Sequence, residues 1–105
     1  MKQLKFSEPL PKLILEGKKT ATWRINDKKE IIKDDKLSLC HNSGEEFAKA
    51  VVIEVKETNF KKLTEEDKQD HEEFSSDEEM YQTYSKYYNM EVTPETKIKI
   101  IKFKL

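Results

Sequence analysis

Apolar residues that alternate with polar ones recur along this chain, and they constrain it to a fold built around a sheet. The longest alternating run extends from Phe47 to Glu57, and Lys97 to Leu105 forms another. Shorter runs occupy Met1 to Phe6 and Lys36 to His41. Because successive side chains of a strand point to opposite faces, each run predicts a strand with one apolar face.

The last of these strands carries apolar residues in both phases of the alternation. Ile98 and Ile100 share one phase, while Ile101, Phe103 and Leu105 share the other. An extra residue in a strand shifts the phase at which apolar side chains recur. The sequence therefore predicts a β-bulge near Ile100 and Ile101.

Start and stop signals predict helices between the strands. Pro9 and Pro11 occupy what reads as the first turn of a helix, where a missing N–H costs little, and Gly17 is well placed to end that helix. Thr64 is the predicted N-cap of an acidic helix. Ser75 and Ser76 each precede a glutamate by three residues, which fits a capping box and predicts a second helix there.

An apolar and aromatic stripe marks one face of this second helix. It consists of Met80, Tyr84, Tyr87 and Tyr88, at helical spacing. Such a stripe is typical of a helix packed on a sheet, and a stacking platform for nucleic-acid bases is the alternative interpretation. The order of elements indicates one α+β domain over residues 1–105, with an antiparallel sheet curled into a small barrel flanked by helices.

Charge is unevenly distributed along the chain. Charged residues make up 39% of the sequence and hydrophobic ones 35%, which predicts a modest core. Residues 65–79 contain nine acids and one base, so the remainder has 19 basic and 12 acidic residues, a net charge of +7. A basic body beside an acidic segment suits a site for a phosphate-bearing ligand, although a well-solvated surface is an alternative for most of these charges.

Cysteine and histidine usage excludes several classes of site. Cys40 is the only cysteine, which rules out an intramolecular disulfide and predicts a reducing, cytoplasmic location. His41 and His71 are too few and too isolated to predict a metal site, and no cofactor is expected. We expect no signal peptide, no membrane-spanning segment and no DNA-specific partner.

The stretch GKKTATWR at residues 17–24 contains the only arginine and the only tryptophan. Alternation places Ala21 and Trp23 on an apolar face that reads as core. The opposite face carries Thr20, Thr22 and Arg24. This row is either a solvated sheet face or the wall of a polar pocket, because a guanidinium fork and a hydroxyl suit a phosphate, a carboxylate or a base edge.

The same stretch resembles the signature of ASCH domains, relatives of the PUA fold found in RNA-modifying proteins. That signature is a glycine, a basic residue, Lys, Thr, any residue, Thr, any residue and Arg, and the resemblance covers most of the chain. It implies a PUA-like barrel that binds RNA or a modified nucleoside in a polar cleft. The ligand-binding residues that it implies are Lys18, Thr20, Arg24 and Glu73.

One bacterial branch of that family hydrolyses the N-acetyl amide of N4-acetylcytidine with a lysine, a threonine and a glutamate. The lysine and the second threonine of the motif correspond to Lys19 and Thr22. The glutamate falls in the helical segment after the long strand, where it corresponds to Glu72, with Glu73 as the alternative. The resemblance therefore implies a catalytic set of Lys19, Thr22 and Glu72. The chain departs from the family here, since many members have a glycine at the second position of this acidic pair.

Three functions remain open at this stage. The chain is a module that binds RNA or a modified nucleoside, an amidohydrolase acting on N4-acetylcytidine, or an interaction domain with a vestigial pocket. RNA cleavage also stays open, because relatives include nucleases. Binding is favoured because it needs only the motif strand and the charge distribution, whereas catalysis also needs a carboxylate beside Lys19 and Thr22.

Overall fold

Five strands form one curled, mixed sheet in the computed structural model, which describes residues 1–69, 71 and 73–105. The strands are β1 (Lys2–Phe6), β2 (Ala21–Arg24), β3 (Lys36–His41), β4 (Glu46–Asn59) and β5 (Lys97–Lys104). Their order across the sheet is β1-β3-β4-β5-β2. The predicted strands are confirmed. The antiparallel arrangement applies to every pairing in this order except β1 with β3, which run parallel.

The curl of the sheet brings its two edge strands towards each other. Nη2 of Arg24, in β2, donates a hydrogen bond of 3.0 Å to the carbonyl oxygen of Lys5, in β1. The same guanidinium lies 4.8 Å from the centroid of the Phe6 ring. One side chain therefore bridges the seam between the two edge strands, β1 and β2.

Two phases of apolar residues in β5 have a different cause from the one predicted. β5 stays in continuous register with β2, and the register shift lies instead in β4, around Ile53. The predicted bulge near Ile100 and Ile101 is therefore wrong. Ile101 and Phe103 pack into one hydrophobic cluster and Ile98 and Ile100 into another, so both faces of β5 are buried. A strand buried on both faces is apolar in both phases.

These two clusters are the cores of the molecule. The aliphatic core consists of Leu4, Phe6, Ile14, Ile31, Leu37, Leu39, Ala50, Val52, Ile101 and Phe103. The aromatic core consists of Ala21, Trp23, Ile25, Phe60, Met80, Tyr84, Val92, Ile98 and Ile100. Because adjacent residues of a strand point to opposite faces, the two cores lie on opposite sides of β5.

Three helices and a 3₁₀ turn complete the fold of the residues that the structure describes. They are α1 (Leu10–Leu15), the 3₁₀ turn (Phe60–Lys62), α2 (Glu65–Gln69) and α3 (Asp77–Tyr88). Within the described part of the chain, no helix combines the length and apolar character needed to cross a bilayer.

The predicted helix boundaries are confirmed by the backbone angle of Gly17 and by the capping hydrogen bonds of Thr64 and Ser76. Gly17 follows α1 with a φ of +77°, a conformation that favours glycine. Oγ1 of Thr64 accepts a hydrogen bond of 3.1 Å from the backbone N–H of Asp67 at the start of α2. Oγ of Ser76 accepts one of 3.1 Å from the N–H of Glu79, which makes Ser76 the N-cap of α3.

Candidate functional site

A cavity of about 210 Å³ opens at the seam between β1 and β2, beneath α3. One wall comes from β2 and the turn before it, and contributes Lys19, Thr22 and Arg24. A second wall comes from the end of β1 and the start of α1. The third is aromatic and comes from Trp23 of β2, from His71 and from the tyrosines of α3. The seam of the curled sheet thus collects side chains that are distant in sequence.

The polar wall contains two deeply buried groups. Lys19 is 2% exposed and Thr22 is 4% exposed. Nε of Arg24 donates a hydrogen bond of 3.1 Å to Oγ1 of Thr22, so the guanidinium and the hydroxyl act as one unit. The guanidinium carries more N–H donors than its bonds to Thr22 and to the Lys5 carbonyl use. The wall therefore offers an ammonium, a hydroxyl and part of a guanidinium to an occupant.

The aromatic wall is a stack of rings around Trp23. The ring of His71 lies parallel to the indole, with centroids 3.8 Å apart and planes 16° apart. The hydroxyl of Tyr84 is hydrogen-bonded to Nε2 of His71 at 2.9 Å. Nε1 of Trp23 is buried and has no hydrogen-bond partner among the described residues. Since buried indole N–H groups usually find an acceptor, this donor is suited to an occupant of the cavity.

Two tyrosines of α3 tie the helix to the sheet edges at the mouth of the cavity. The hydroxyl of Tyr87 is hydrogen-bonded to Oγ of Ser7, after β1, while 59% of Tyr87 is exposed. The hydroxyl of Tyr88 accepts a hydrogen bond of 3.2 Å from the N–H of Ile25, after β2. The stripe of α3 therefore packs on the sheet, as predicted, and also supplies lining residues.

An ion pair between a buried carboxylate and a partly exposed lysine fixes the segment that leads to His71. The carboxylate of Asp67, in α2, lies 3.0 and 3.1 Å from Nζ of Lys56, in β4, and accepts a hydrogen bond from the N–H of Thr64. Burial by itself would raise the pKa of Asp67. The backbone N–H of Thr64, the Lys56 ammonium and the Thr64 hydroxyl outweigh it and hold the pKa below the ordinary value of 3.8.

The sequence-predicted residues divide into those that line the cavity and those that lie elsewhere. Ala21 and Trp23 pack in the core, as the alternation predicted, and Trp23 also lines the cavity. Lys19, Thr22 and Arg24 come together there. The side chain of Lys18 is 70% exposed, and its ammonium lies 3.8 Å from the carboxylate of Glu16.

Thr20 and Glu73 do not line this cavity, and Glu72 is not among the described residues. Thr20 immediately precedes β2 and is half-buried, outside the cavity lining. Glu73 is exposed and lines a separate surface depression beside Lys68 and Phe74. Glu72, the predicted catalytic acid, lies outside the described residues.

Sequence reasoning missed several lining residues. His71 is isolated in the sequence, and nothing in its spacing connects it to Trp23, yet it lines the cavity. Ser7 and Asn42, from turns after β1 and β3, carried no signal either. The tyrosine stripe was the one usable hint, through its alternative interpretation as a base-stacking platform. Among the described residues, no group of three or more His, Cys, Asp or Glu side chains is arranged to hold a metal ion.

A comparison with protein families gives a match over nearly the whole chain. The family model described as the ASCH domain matches residues 2–105. No curated protein sequence matches the chain.

Solved structures share the fold at low sequence identity. Hypothetical protein PH0355 superposes with a TM-score of 0.76 at 24% identity, over 99% of this chain and 98% of that one. The ASCH domain from Lactobacillus crispatus JV V101 gives 0.68 at 15% identity, over 90% of this chain and 68% of that one. The ASCH protein from Zymomonas mobilis gives 0.71 at 14%, over 98% and 66%. At identities this low, these superpositions show a shared fold and nothing further.

Proposed function

The chain belongs to the ASCH domain family, and from this premise we propose that its cavity binds RNA or a modified nucleoside through a single base. One observation carries the proposal. Lys19, Thr22 and the Trp23 stack, which include buried polar groups and broad aromatic surface, line the same small cavity.

The size and chemistry of the cavity both favour a base or nucleoside. A volume of about 210 Å³ is below the ~300–1,000 Å³ typical of pockets for drug-sized ligands, so the occupant is small. The edge of a base offers donors and acceptors that match an ammonium, a hydroxyl and an indole N–H. Stacking of a base on an aromatic side chain contributes roughly 1–3 kcal/mol.

A pair of threonine variants tests the binding proposal. Thr22→Val removes a hydroxyl from the cavity at nearly constant volume, whereas Thr20→Val makes the same change outside the lining. Calorimetric titration with the four common ribonucleosides and N4-acetylcytidine should show a loss of about tenfold in affinity for Thr22→Val, the size expected for one hydrogen bond. Thr20→Val should bind like the wild type.

Two results would count against the proposal. Equal affinities for both variants and the wild type would place the nucleoside elsewhere on the molecule. Failure of the wild type to bind any of these nucleosides or short RNA would leave an interaction domain with a vestigial pocket as the better description.

A second candidate function is hydrolysis of the N-acetyl amide of N4-acetylcytidine. The observation that favours it is that Lys19 and Thr22, the two motif residues of the implied catalytic set, are both buried in one cavity. Water, or Thr22 followed by water, would attack the acetyl carbonyl, and the Lys19 ammonium would stabilise the developing oxyanion. A carboxylate, assigned to Glu72 by the resemblance alone, would accept the proton and return it to the leaving N4 amine. The products are acetate and cytidine.

Neighbouring lysines provide a matched test of catalysis. If the chain is an amidohydrolase, Lys19→Met should slow acetate release, followed by mass spectrometry, by about 100-fold or more, whereas Lys18→Met should be nearly neutral. Thr22→Val and Glu72→Gln should each cause similarly large losses, because groups that act as a unit are not additive. If concentrated wild-type protein releases no acetate from N4-acetylcytidine, this second function is excluded and the binding proposal stands alone.

A further inference from the structure

A second concave site adjoins the cavity and shares Arg24 with it. This site, about 430 Å³ in volume, lies where β4 ends, where β5 begins and where the chain leaves β2. We call it the basic groove and define it by Arg24, Asn26, Asp27, Lys62, Lys97 and Lys99. Because Arg24 lines both sites, a ligand that extends beyond the cavity at this side chain enters the groove.

The charge of the groove suits an anion. Four cationic side chains line it, whereas its carboxylates come from Asp27 and Glu57 alone among the described lining residues. Lys62 and Lys97 are exposed, so their ammonium groups are accessible to a ligand. Arg24 faces Lys99 across the β2–β5 pairing, which concentrates positive charge between the two sites. Lysines and an arginine arranged in this way neutralise phosphate groups.

Asp27 is a buried carboxylate beside these cations, and a bare anion could not donate a hydrogen bond to it. Its side chain is only 8% exposed, and Oδ2 has no hydrogen-bond partner among the described residues. The Lys99 ammonium lies 3.8 Å from Oδ2, beyond hydrogen-bond range, whereas Oδ1 accepts a bond of 3.3 Å from the N–H of Lys29. Leaving a buried carboxylate oxygen without a donor is costly. A ligand that carries both an anionic group and a hydroxyl donor satisfies the lysines and Asp27 together.

A ribose phosphate has this combination of groups. Resting on the proposed binding of a base in the cavity, we propose that the basic groove holds the sugar and phosphate of the adjoining nucleotide of an RNA strand. The lysines contact the phosphate, and Oδ2 of Asp27 accepts a hydrogen bond from the ribose 2′-hydroxyl. Since DNA lacks this hydroxyl, the groove selects RNA over DNA.

Affinity and salt dependence test the phosphate contact. Wild type, Lys97→Gln and Lys104→Gln are titrated with the four ribonucleosides and with short homo-oligoribonucleotides of the same bases. Lys104 is an exposed lysine at the other end of β5, so its variant controls for net charge. We expect the oligoribonucleotide to bind about tenfold or more tightly than its nucleoside. Lys97→Gln should lower the slope of log affinity against log salt by about 0.7 for the oligoribonucleotide and leave nucleoside binding unchanged.

Sugar chemistry tests the role of Asp27 without any mutation. Oligodeoxyribonucleotides and 2′-O-methyl oligoribonucleotides of the same sequence should bind the wild type about tenfold more weakly than RNA, because neither can donate from the 2′ position. Asp27→Ala should abolish this preference while keeping nucleoside affinity. Equal wild-type affinity for RNA and the two analogues would overturn the role of Asp27.

Failure of the groove proposal is distinguishable from failure of the proposed function. If nucleosides bind but oligoribonucleotides bind no more tightly, or if Lys97→Gln and Lys104→Gln behave alike, the groove proposal is overturned and the cavity proposal survives. If neither nucleosides nor oligoribonucleotides bind, both are overturned.

Discussion

The aliphatic and aromatic cores lie on opposite faces of β5, yet they have different chemistry. Every member of the aliphatic core is apolar, so its contribution to stability comes mainly from packing. The aromatic core adjoins the buried Lys19 and His71, and its own Trp23 carries a buried N–H without a hydrogen-bond partner in the described part of the chain. If the sequence had been selected for stability alone, these buried polar groups would bring little benefit.

The difference indicates a division of labour between the two cores. Apolar cores tolerate exchange of residues when volume and pattern are kept. Polar groups at the edge of a core need fixed positions, because the hydrogen bonds to their partners and to a ligand are directional. We therefore expect changes in the aliphatic core away from Phe6, which lines the cavity, to alter stability alone. Changes around Trp23 should alter stability and binding together.

Trp23→Ala should cause the largest effect. The indole stacks on His71 and contacts the rings of Phe60 and Tyr84, so truncation should lower the free energy of unfolding by ~3–5 kcal/mol. Guanidinium denaturation measures this loss. Nucleoside binding should disappear as well, even in variant protein that is still folded in the absence of denaturant. A loss below ~1 kcal/mol would mean that the stack is not the centre of its core.

Leu39→Ala should cost a comparable amount of stability without any effect on affinity. Leu39 is fully buried in the aliphatic core, and the expected loss in the free energy of unfolding is ~2–5 kcal/mol. The nucleoside dissociation constant of the folded fraction should match that of the wild type. If the affinity falls tenfold, the two cores are coupled and the division of labour is wrong.

Arg24→Lys should produce a smaller, mixed effect. The guanidinium donates to Thr22 in its own strand, bridges the seam to the Lys5 carbonyl and lies over Phe6. One ammonium cannot reproduce these contacts together. We expect a loss of about 1 kcal/mol in unfolding free energy and a several-fold weaker affinity for nucleosides and RNA. Calorimetry measures both. Unchanged affinity would remove Arg24 from the ligand contacts and leave it a structural bridge.

Acid should lower the free energy of unfolding through two carboxylates, Asp35 and Asp67. The pKa of Asp35 is lowered by a hydrogen bond from Lys2 and by the N–H of Ile32, and that of Asp67 is lowered by Thr64 and Lys56 against the opposing effect of burial. A lowered folded-state pKa contributes stability above the ordinary value of 3.8, and this contribution is lost as the pH falls through the lower folded-state value. Urea midpoints should therefore decline progressively below that pH.

Asp67→Asn is the variant that isolates one of these carboxylates. It should reduce the slope of stability against pH in this acidic range while lowering stability at neutral pH, because the charge-assisted bonds to Lys56 are weakened. A slope identical to that of the wild type would show that Asp67 does not contribute to the acid response.

Local patterns in the sequence predicted the elements but not their meeting points. Alternation identified the strands, and serine and threonine caps located α2 and α3, because these signals act over a few residues. The two phases of β5 reflect a second buried face and not the predicted bulge, and alternation cannot distinguish an extra residue from a second buried face. The parallel pairing of β1 with β3 depends on contacts between distant segments.

The candidate site divides along the same line. The motif strand predicted that Thr22 and Arg24 share a polar face. It did not predict that Thr20 lies outside the cavity, because the start of β2 at Ala21 is a matter of tertiary structure. The position of His71 against Trp23 depends on how α2 is anchored to β4, which no local pattern encodes.

The single tryptophan allows the central claim to be tested by one spectrum. Because the chain has one indole, its N–H gives one cross-peak in a ¹H–¹⁵N correlation spectrum, and this group is buried among the residues that line the cavity. Titration with the five nucleosides named above, N4-acetylcytidine among them, should shift this cross-peak saturably with the same dissociation constant that calorimetry gives. An indole cross-peak that stays fixed while other resonances shift on binding would contradict the proposal that the cavity beside Trp23 holds the base.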